Sequence, residues 1–249
     1  TVIAPSFPAG CMAGPDAGGW AGIGTTACRE FNSAKNLSEP CFTYSLTAGQ
    51  GTVMHELAHN LGMNHAGIGS YPMDAKGTEP KPVIEYGDST DILGAADRMN
   101  CLNAAHQYQT GWGRPIITLD NASLPVGSAA SVTLPLASAV RRNFVRVIMD
   151  WTPNWSVPEL QAVNYLTNTF SDEKKQYYNS LAINNAIFLQ FRSHQDSIPV
   201  DKGLIPMVYV YQYNGPADET ADMFTFLNTT LPLGGVWQRG GLRVAVTGM

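Results

Sequence analysis

The sequence predicts an α+β domain over residues 1–114 followed by a β-rich, sandwich-like domain over residues 115–249. Three observations carry this reading. Helical periodicity at 48–61 stands among short β-type runs in the first part. From about residue 115 the texture changes to short runs of β-branched and aromatic residues divided by turn-forming segments. The 24 glycines and 16 prolines supply those turns.

Residues 1–46 read as loops and short strands, with the best β signals in "GWAGIGTTACREF" (19–31) and "CFTYSL" (41–46). A helix fits 48–61. Thr47 with Gln50 three residues on forms a capping-box pattern, and Met54, Leu57, Ala58 and Leu61 form one apolar stripe. Gly62 supplies the left-handed conformation that ends such a helix. Residues 66–90, rich in Gly, Pro and acid, read as a long surface loop. Further on, "PIITL", "SVTLPL", "FVRVIMDW", "AIFLQF", "MVYVYQY" and "LRVAVTG" are the expected strands of the sandwich, with a short helix somewhere in 156–182.

Net charge is −5, and no Lys/Arg run exceeds the pairs Arg141-Arg142 and Lys174-Lys175, so nothing matches a row of phosphates and nucleic acid is not expected as a partner. No apolar stretch reaches the roughly 18 residues that span a bilayer. Cys11, Cys28, Cys41 and Cys101 form an even set compatible with two disulfides in any of three pairings. Four glycosylation sequons begin at Asn36, Asn121, Asn154 and Asn228. Together these features point to a secreted, extracellular glycoprotein.

The chemistry concentrates in "VMHELAHNLGMNHAG" (53–67). With five His in the chain, an HExxH arises by chance in roughly three of a thousand such sequences, and a Gly and a third His at the right spacing make coincidence far rarer. His55 and His59, at i and i+4, leave one helix face together and can grip one ion. A continuing helix would carry His65 away from them, so the chain must turn back, which Gly62 permits. Three neutral imidazoles leave one tetrahedral position open, the pattern of a catalytic zinc. Glu56, beside His55, is placed to act on water rather than on the ion. Zinc lowers the pKa of a bound water from about 15.7 toward 7, so that Glu56 can take its proton and deliver it to a leaving amine.

The pattern HExxHxxGxxH is complete in His55, Glu56, His59, Gly62 and His65, and it resembles the zinc-binding motif of the metzincin metalloendopeptidases. "EYGDSTDILG" (85–94), "GWGRP" (111–115) and the β-rich tail make the chain more narrowly similar to the gametolysin family, secreted cell-wall lytic proteinases of volvocine green algae. That resemblance implies a metzincin-like zinc peptidase domain at 1–114, with His55, His59 and His65 on one catalytic zinc ion and Glu56 as general base. By analogy alone, it implies proline- or hydroxyproline-rich matrix glycoproteins as the protein substrate. Gametolysin relatives often carry Gln at the first ligand position, where this chain has His55. Leu93 stands where metzincins place a methionine beneath the metal, and it fills a similar apolar volume. Only 54 residues precede the motif, against about a hundred in metzincins, so the domain is expected to be N-terminally incomplete.

Other residues carry weaker signals. Asp88 and Asp91 are candidate calcium ligands, set against the plain reading of solvated loop acids. Tyr71 and Tyr86 are candidates to assist an oxyanion, set against exposed loop tyrosines. His106 and His194 read as surface or internally satisfied histidines, and Met99 as ordinary packing. Trp151, Trp155, Tyr177 and Tyr178 read as sandwich core or, less directly, as a platform for sugars. The alternative to a zinc endopeptidase is a non-catalytic matrix- or carbohydrate-binding protein that retains the metal site.

Overall fold

The computed structural model describes residues 22–25, 31–32, 37–38, 41–45, 49–69, 84–94, 100–151, 186–194, 201, 203–213, 215 and 225–248. It is mixed α+β and mostly sheet. In chain order, β1 (Gly22–Gly24), β2 (Phe31–Asn32), β3 (Leu37–Ser38) and β4 (Thr43–Ser45) precede helix α1 (Gln50–Asn60). Then come β5 (Ala66–Ile68), helix α2 (Ala104–Gln109), β6 (Arg114–Leu119), β7 (Arg142–Ile148) and β8 (Ala186–Arg192). β9 (Met207–Gln212), β10 (Thr225–Leu231), β11 (Val236–Arg239) and β12 (Leu242–Ala245) complete the series.

The main sheet has six strands in the order β5-β10-β9-β8-β7-β6. The three inner pairings from β10 to β7 are antiparallel, while β5 on β10 and β6 on β7 are parallel edge additions. The sheet thus takes β5 from the chain before residue 114 and its other strands from residue 114 onward. Val145 and Val147 of β7, Ile187 of β8, and Val208 and Val210 of β9 line one face and form its apolar core with Leu119, Leu231, Leu242 and Val246. The second layer over that face is the β11–β12 hairpin, through Trp237 and Val244, together with Leu124, Val132 and Leu134 from the segment after β6. "SVTLPL" does not pair as a strand; it contributes one isolated bridge, Leu136 with Phe191. The interval 156–182, where a helix was expected, lies outside the described residues, as do Tyr71, Met99, Trp155, Tyr177 and Tyr178.

Helix α1 begins later than its sequence pattern predicts. Gly49 is the N-cap, with extended backbone and no side-chain cap, so Gln50 opens the helix instead of closing a capping box with Thr47. The expected apolar stripe is also corrected. Met54 and Leu61 are 44% and 48% exposed, whereas Thr52, His55, Glu56, Ala58 and His59 are buried. The buried face of this helix is its polar, chemistry-bearing face, and only Ala58 of the stripe joins the core.

The helix ends as Gly62 requires. Gly62 has φ 87°, its N–H donates to His59 O at 2.8 Å, and Met63 N–H reaches back to Ala58 O at 3.3 Å. Those two bonds form a Schellman motif, with its usual apolar contact supplied by Met63 and Ala58 in one buried cluster with Ala66, Ile92 and Leu93.

Two expectations about covalent chemistry change. Cys41 is disulfide-bonded, but Cys101 is a free thiol, so the four cysteines do not make two bridges. Asn228 sits within β10 with its Nδ2 buried and its Oδ1 accepting from Arg239 at 2.8 Å, which leaves no room for a glycan there. Asn121 is exposed in a turn, and Asn36 and Asn154 lie outside the described residues.

Candidate metal centre

His55, His59 and His65 come together, one ligand atom from each lying within 4.8 Å of the other two. Their ring centroids are 4.9 to 5.4 Å apart. Helical spacing brings the first two together, and the Gly62 turn returns the third.

Each ring is oriented through its Nδ1. His55 Nδ1 donates to Ile92 O at 2.8 Å, and His59 Nδ1 donates to Met63 O at 2.8 Å. A carbonyl oxygen only accepts, so both rings carry their proton on Nδ1 and keep an Nε2 lone pair for a ligand. His65 Nδ1 bonds instead to a carboxylate, Glu85 Oε1, at 2.6 Å. Burial, the largest effect on His55, holds its imidazolium below the ordinary value and so favours the neutral ring that binds metal. Three imidazoles tied at Nδ1 and converging on one point are a donor set that fits zinc or a similar transition ion.

Glu56 adjoins this triad, 5% exposed, with burial pushing its carboxyl up to about 7. Strand β1 packs against it through two glycines: a Cβ at Gly22 would stand 2.6 Å from Glu56 Oε1 and 2.7 Å from its Cγ, and one at Gly24 would stand 2.5 Å from Glu56 O. Tyr86 lies across the site, its ring centroid 4.1 Å from that of His65 and its phenol pushed up to about 12 by burial and by the charges of Glu85 and Glu56. It therefore stays protonated at neutral pH.

Beneath the histidines runs the turn 88–94. Leu93 is fully buried in one cluster with Met63 and Ala66. Asp88 and Asp91 are also fully buried, and no carboxylate oxygen of either is left over for calcium. Asp88 Oδ1 accepts from Thr90 N and Oγ1, and its Oδ2 from Asn103 Nδ2. Asp91 Oδ1 accepts from Leu93 N, and its Oδ2 from Asn103 N and His106 Nδ1. Burial and the charge of Asp91 push the Asp88 carboxyl up. Burial works against Asp91 too, yet His106 and the two amides hold its carboxyl below the usual value.

The network continues into the sheet. Thr90 Oγ1 meets Tyr211 OH at 3.0 Å, and Arg192, fully buried, donates to Tyr211 OH at 3.1 Å, to Asp201 Oδ1 at 2.5 Å and to Cys101 O at 3.0 Å. Gln109 at the end of α2 donates to Gly62 O at 2.9 Å, bracing the turn that returns His65. His106 is thus an internal partner of Asp91 rather than a surface histidine. His194 is half-buried, its backbone N–H on Leu204 O at 3.0 Å. Trp151 packs on the sheet core and donates to Gly240 O at 2.7 Å.

Sequence reasoning missed Glu85, Gly22, Asn103, Gln109 and Arg192. The two glycines of "AGIGTT" were the one visible sign that a strand approaches another backbone closely.

Residues 15–168 match the family profile of gametolysin peptidase M11. Over 101 residues, 39% of this chain, the sequence is 33% identical to a protein named autolysin from Chlamydomonas reinhardtii. The match spans 13% of that relative's length. No solved structure matches.

Proposed function

Because that match covers well over half of its length, the chain belongs to the gametolysin peptidase M11 family, and on that premise we propose that it is a secreted zinc endopeptidase. His55, His59 and His65 hold the ion through Nε2, and Glu56 is the general base. The observation that carries this reading is the convergence of three Nδ1-tethered imidazoles beside a buried carboxylate on the same helix.

When bound, the ion supplies Lewis acidity, which makes a water nucleophilic at neutral pH and polarises a peptide carbonyl. Glu56, with a carboxyl near 7 in the metal-free site, takes the proton of the attacking water and returns it to the departing amine. Gly22 keeps β1 close enough to exclude water from one side of that carboxylate. In this reading residues 1–114 carry the chemistry, and the β-rich residues 115–249 brace it and present the substrate. The substrate class is proline- or hydroxyproline-rich glycoprotein of an extracellular matrix or cell wall, in keeping with the family and with a relative named for cell self-lysis. Among the described residues no helix is long and apolar enough to cross a membrane.

The test is zinc stoichiometry beside proteolysis of a matrix glycoprotein, with and without chelator. One zinc per chain, loss of cleavage on chelation, and a Glu56→Ala variant that keeps zinc but loses nearly all turnover are expected. Unchanged turnover in Glu56→Ala defeats the mechanism. A zinc-loaded protein that cleaves no protein substrate restores the non-catalytic binding alternative.

A further inference from the structure

The three histidines are not held alike, and the difference has a chemical direction. His55 and His59 donate to neutral backbone carbonyls, whereas His65 donates to the Glu85 carboxylate at 2.6 Å. We infer that Glu85 is a positioning residue for metal binding, an anionic partner that fixes the His65 ring from its far nitrogen and sets how tightly the site retains its ion. The inference rests on the zinc reading of the triad and adds to it a residue outside the HExxHxxGxxH pattern.

The placement of Glu85 is built into the fold. Its neighbour Ile84 exchanges both backbone bonds with Ile68 of β5, each at 3.0 Å, and Gly87 N–H closes a turn onto Ile84 O at 3.0 Å. Strand β5 in turn pairs with β10 in the main sheet. Residues 85 and 86 therefore leave a fixed point, and both engage the same ring, Glu85 at its Nδ1 and Tyr86 as a tilted ring whose centroid lies 4.1 Å away.

His65 needs such a clamp more than its partners do. The other two ligands sit on α1, where the helix itself aims them, while His65 stands in irregular chain just before β5.

A carboxylate on the far nitrogen acts in two ways. It fixes the tautomer and the ring plane, as a carbonyl does, and it also donates electron density through the imidazole toward a cation. Three neutral ligands on a divalent ion leave its charge uncompensated, and Glu85 supplies a negative charge one ring away. Replacing it by Gln keeps an acceptor of the same reach and removes only the charge; replacing it by Ala removes both.

The experiment measures zinc and cobalt affinity of the full chain by competition with a chromophoric chelator, for wild type, Glu85→Gln and Glu85→Ala. Visible absorption of the cobalt form and thermal melting of the metal-free proteins are recorded alongside. The expected result is a zinc Kd raised about 10-fold in Glu85→Gln and up to about 100-fold in Glu85→Ala. The cobalt spectrum changes in Glu85→Ala, and metal-free melting is unaltered in both variants. Equal zinc affinity in wild type and Glu85→Gln overturns the inference. So does a loss of affinity that merely tracks a lowered metal-free melting temperature, which assigns Glu85 to folding. A wild-type chain that binds no zinc overturns the reading of the triad itself, and is distinguished because wild type and variants then fail together.

Discussion

Asp91 Oδ2 accepts from His106 Nδ1 at 3.0 Å with neither side chain exposed, and the other oxygen of the same carboxylate accepts the Leu93 amide at 2.8 Å. This pair joins helix α2 to the turn whose Ile92 carbonyl orients His55. Asp91→Asn is expected to destabilise the fold by about 3–5 kcal/mol at neutral pH, because it strips the charge from a buried carboxylate that accepts three hydrogen bonds. The sign of the pH effect follows from the depressed folded value of Asp91. Its contribution is present above the unfolded carboxylate range, about 3.9, and is lost as pH falls below it. The deficit of the variant in denaturant melts must therefore shrink on acidification; a deficit constant with pH contradicts this account.

Glu56 works in the opposite sense. Its carboxyl is raised from 4.5 to about 7 in the metal-free fold, so the fold favours the neutral acid. Stability is unaffected below the lower value, declines as pH rises between the two, and stays reduced above the upper one. In chelator, Glu56→Gln should gain melting temperature relative to wild type across that interval and hold the gain at higher pH. A difference independent of pH counts against a buried, titrating base.

Gly22→Ala places a methyl group against the Glu56 carboxylate, 2.6 Å from Oε1. The carboxylate must move while the three histidines stay where they are. Zinc stoichiometry should survive and turnover should fall by about 10-fold or more, since small misplacements of a reacting group are costly. Full turnover in a zinc-loaded Gly22→Ala enzyme shows that β1 has no say in where the base sits.

Leu93→Met places a methionine in a site already filled by an apolar side chain of similar volume. The change in stability is expected to remain under about 1.5 kcal/mol, with zinc affinity unaltered. A large gain in affinity would mean that the leucine leaves the site loose.

What the sequence revealed follows from the range of the interactions involved. His55, His59, Gly62 and His65 were legible because helical period and a left-handed glycine are local constraints, and β7, β8 and β9 because their runs are rich in β-branched and aromatic residues. Strand β10, "TFLNTTL", was missed because its threonines and asparagine mask a half-buried strand, and β5, three residues with a central glycine, was too short to signal itself. Met54 and Leu61 misled because amphipathic patterning assumes that the buried face is apolar, which fails where that face carries His55, Glu56 and His59. Glu85 was invisible as a partner of His65 because twenty residues separate them and the contact exists only once Ile84 has met Ile68.

The carbonyl of His65 accepts the amide of Thr225 at 3.3 Å, and the next residue, Ala66, is paired with Thr225 in the sheet. The backbone beside the histidine cluster is thus tied to a strand far along the chain. Contacts of such sequence separation form late, after the loop between them has closed. A growing chain will have made all three histidines and Glu56 before β10 is synthesised, and until then the backbone at His65 lacks its bond to Thr225. Closure of the three-histidine cluster is therefore coupled to completion of the main sheet, so that the geometry of the cluster and the fold are assembled together.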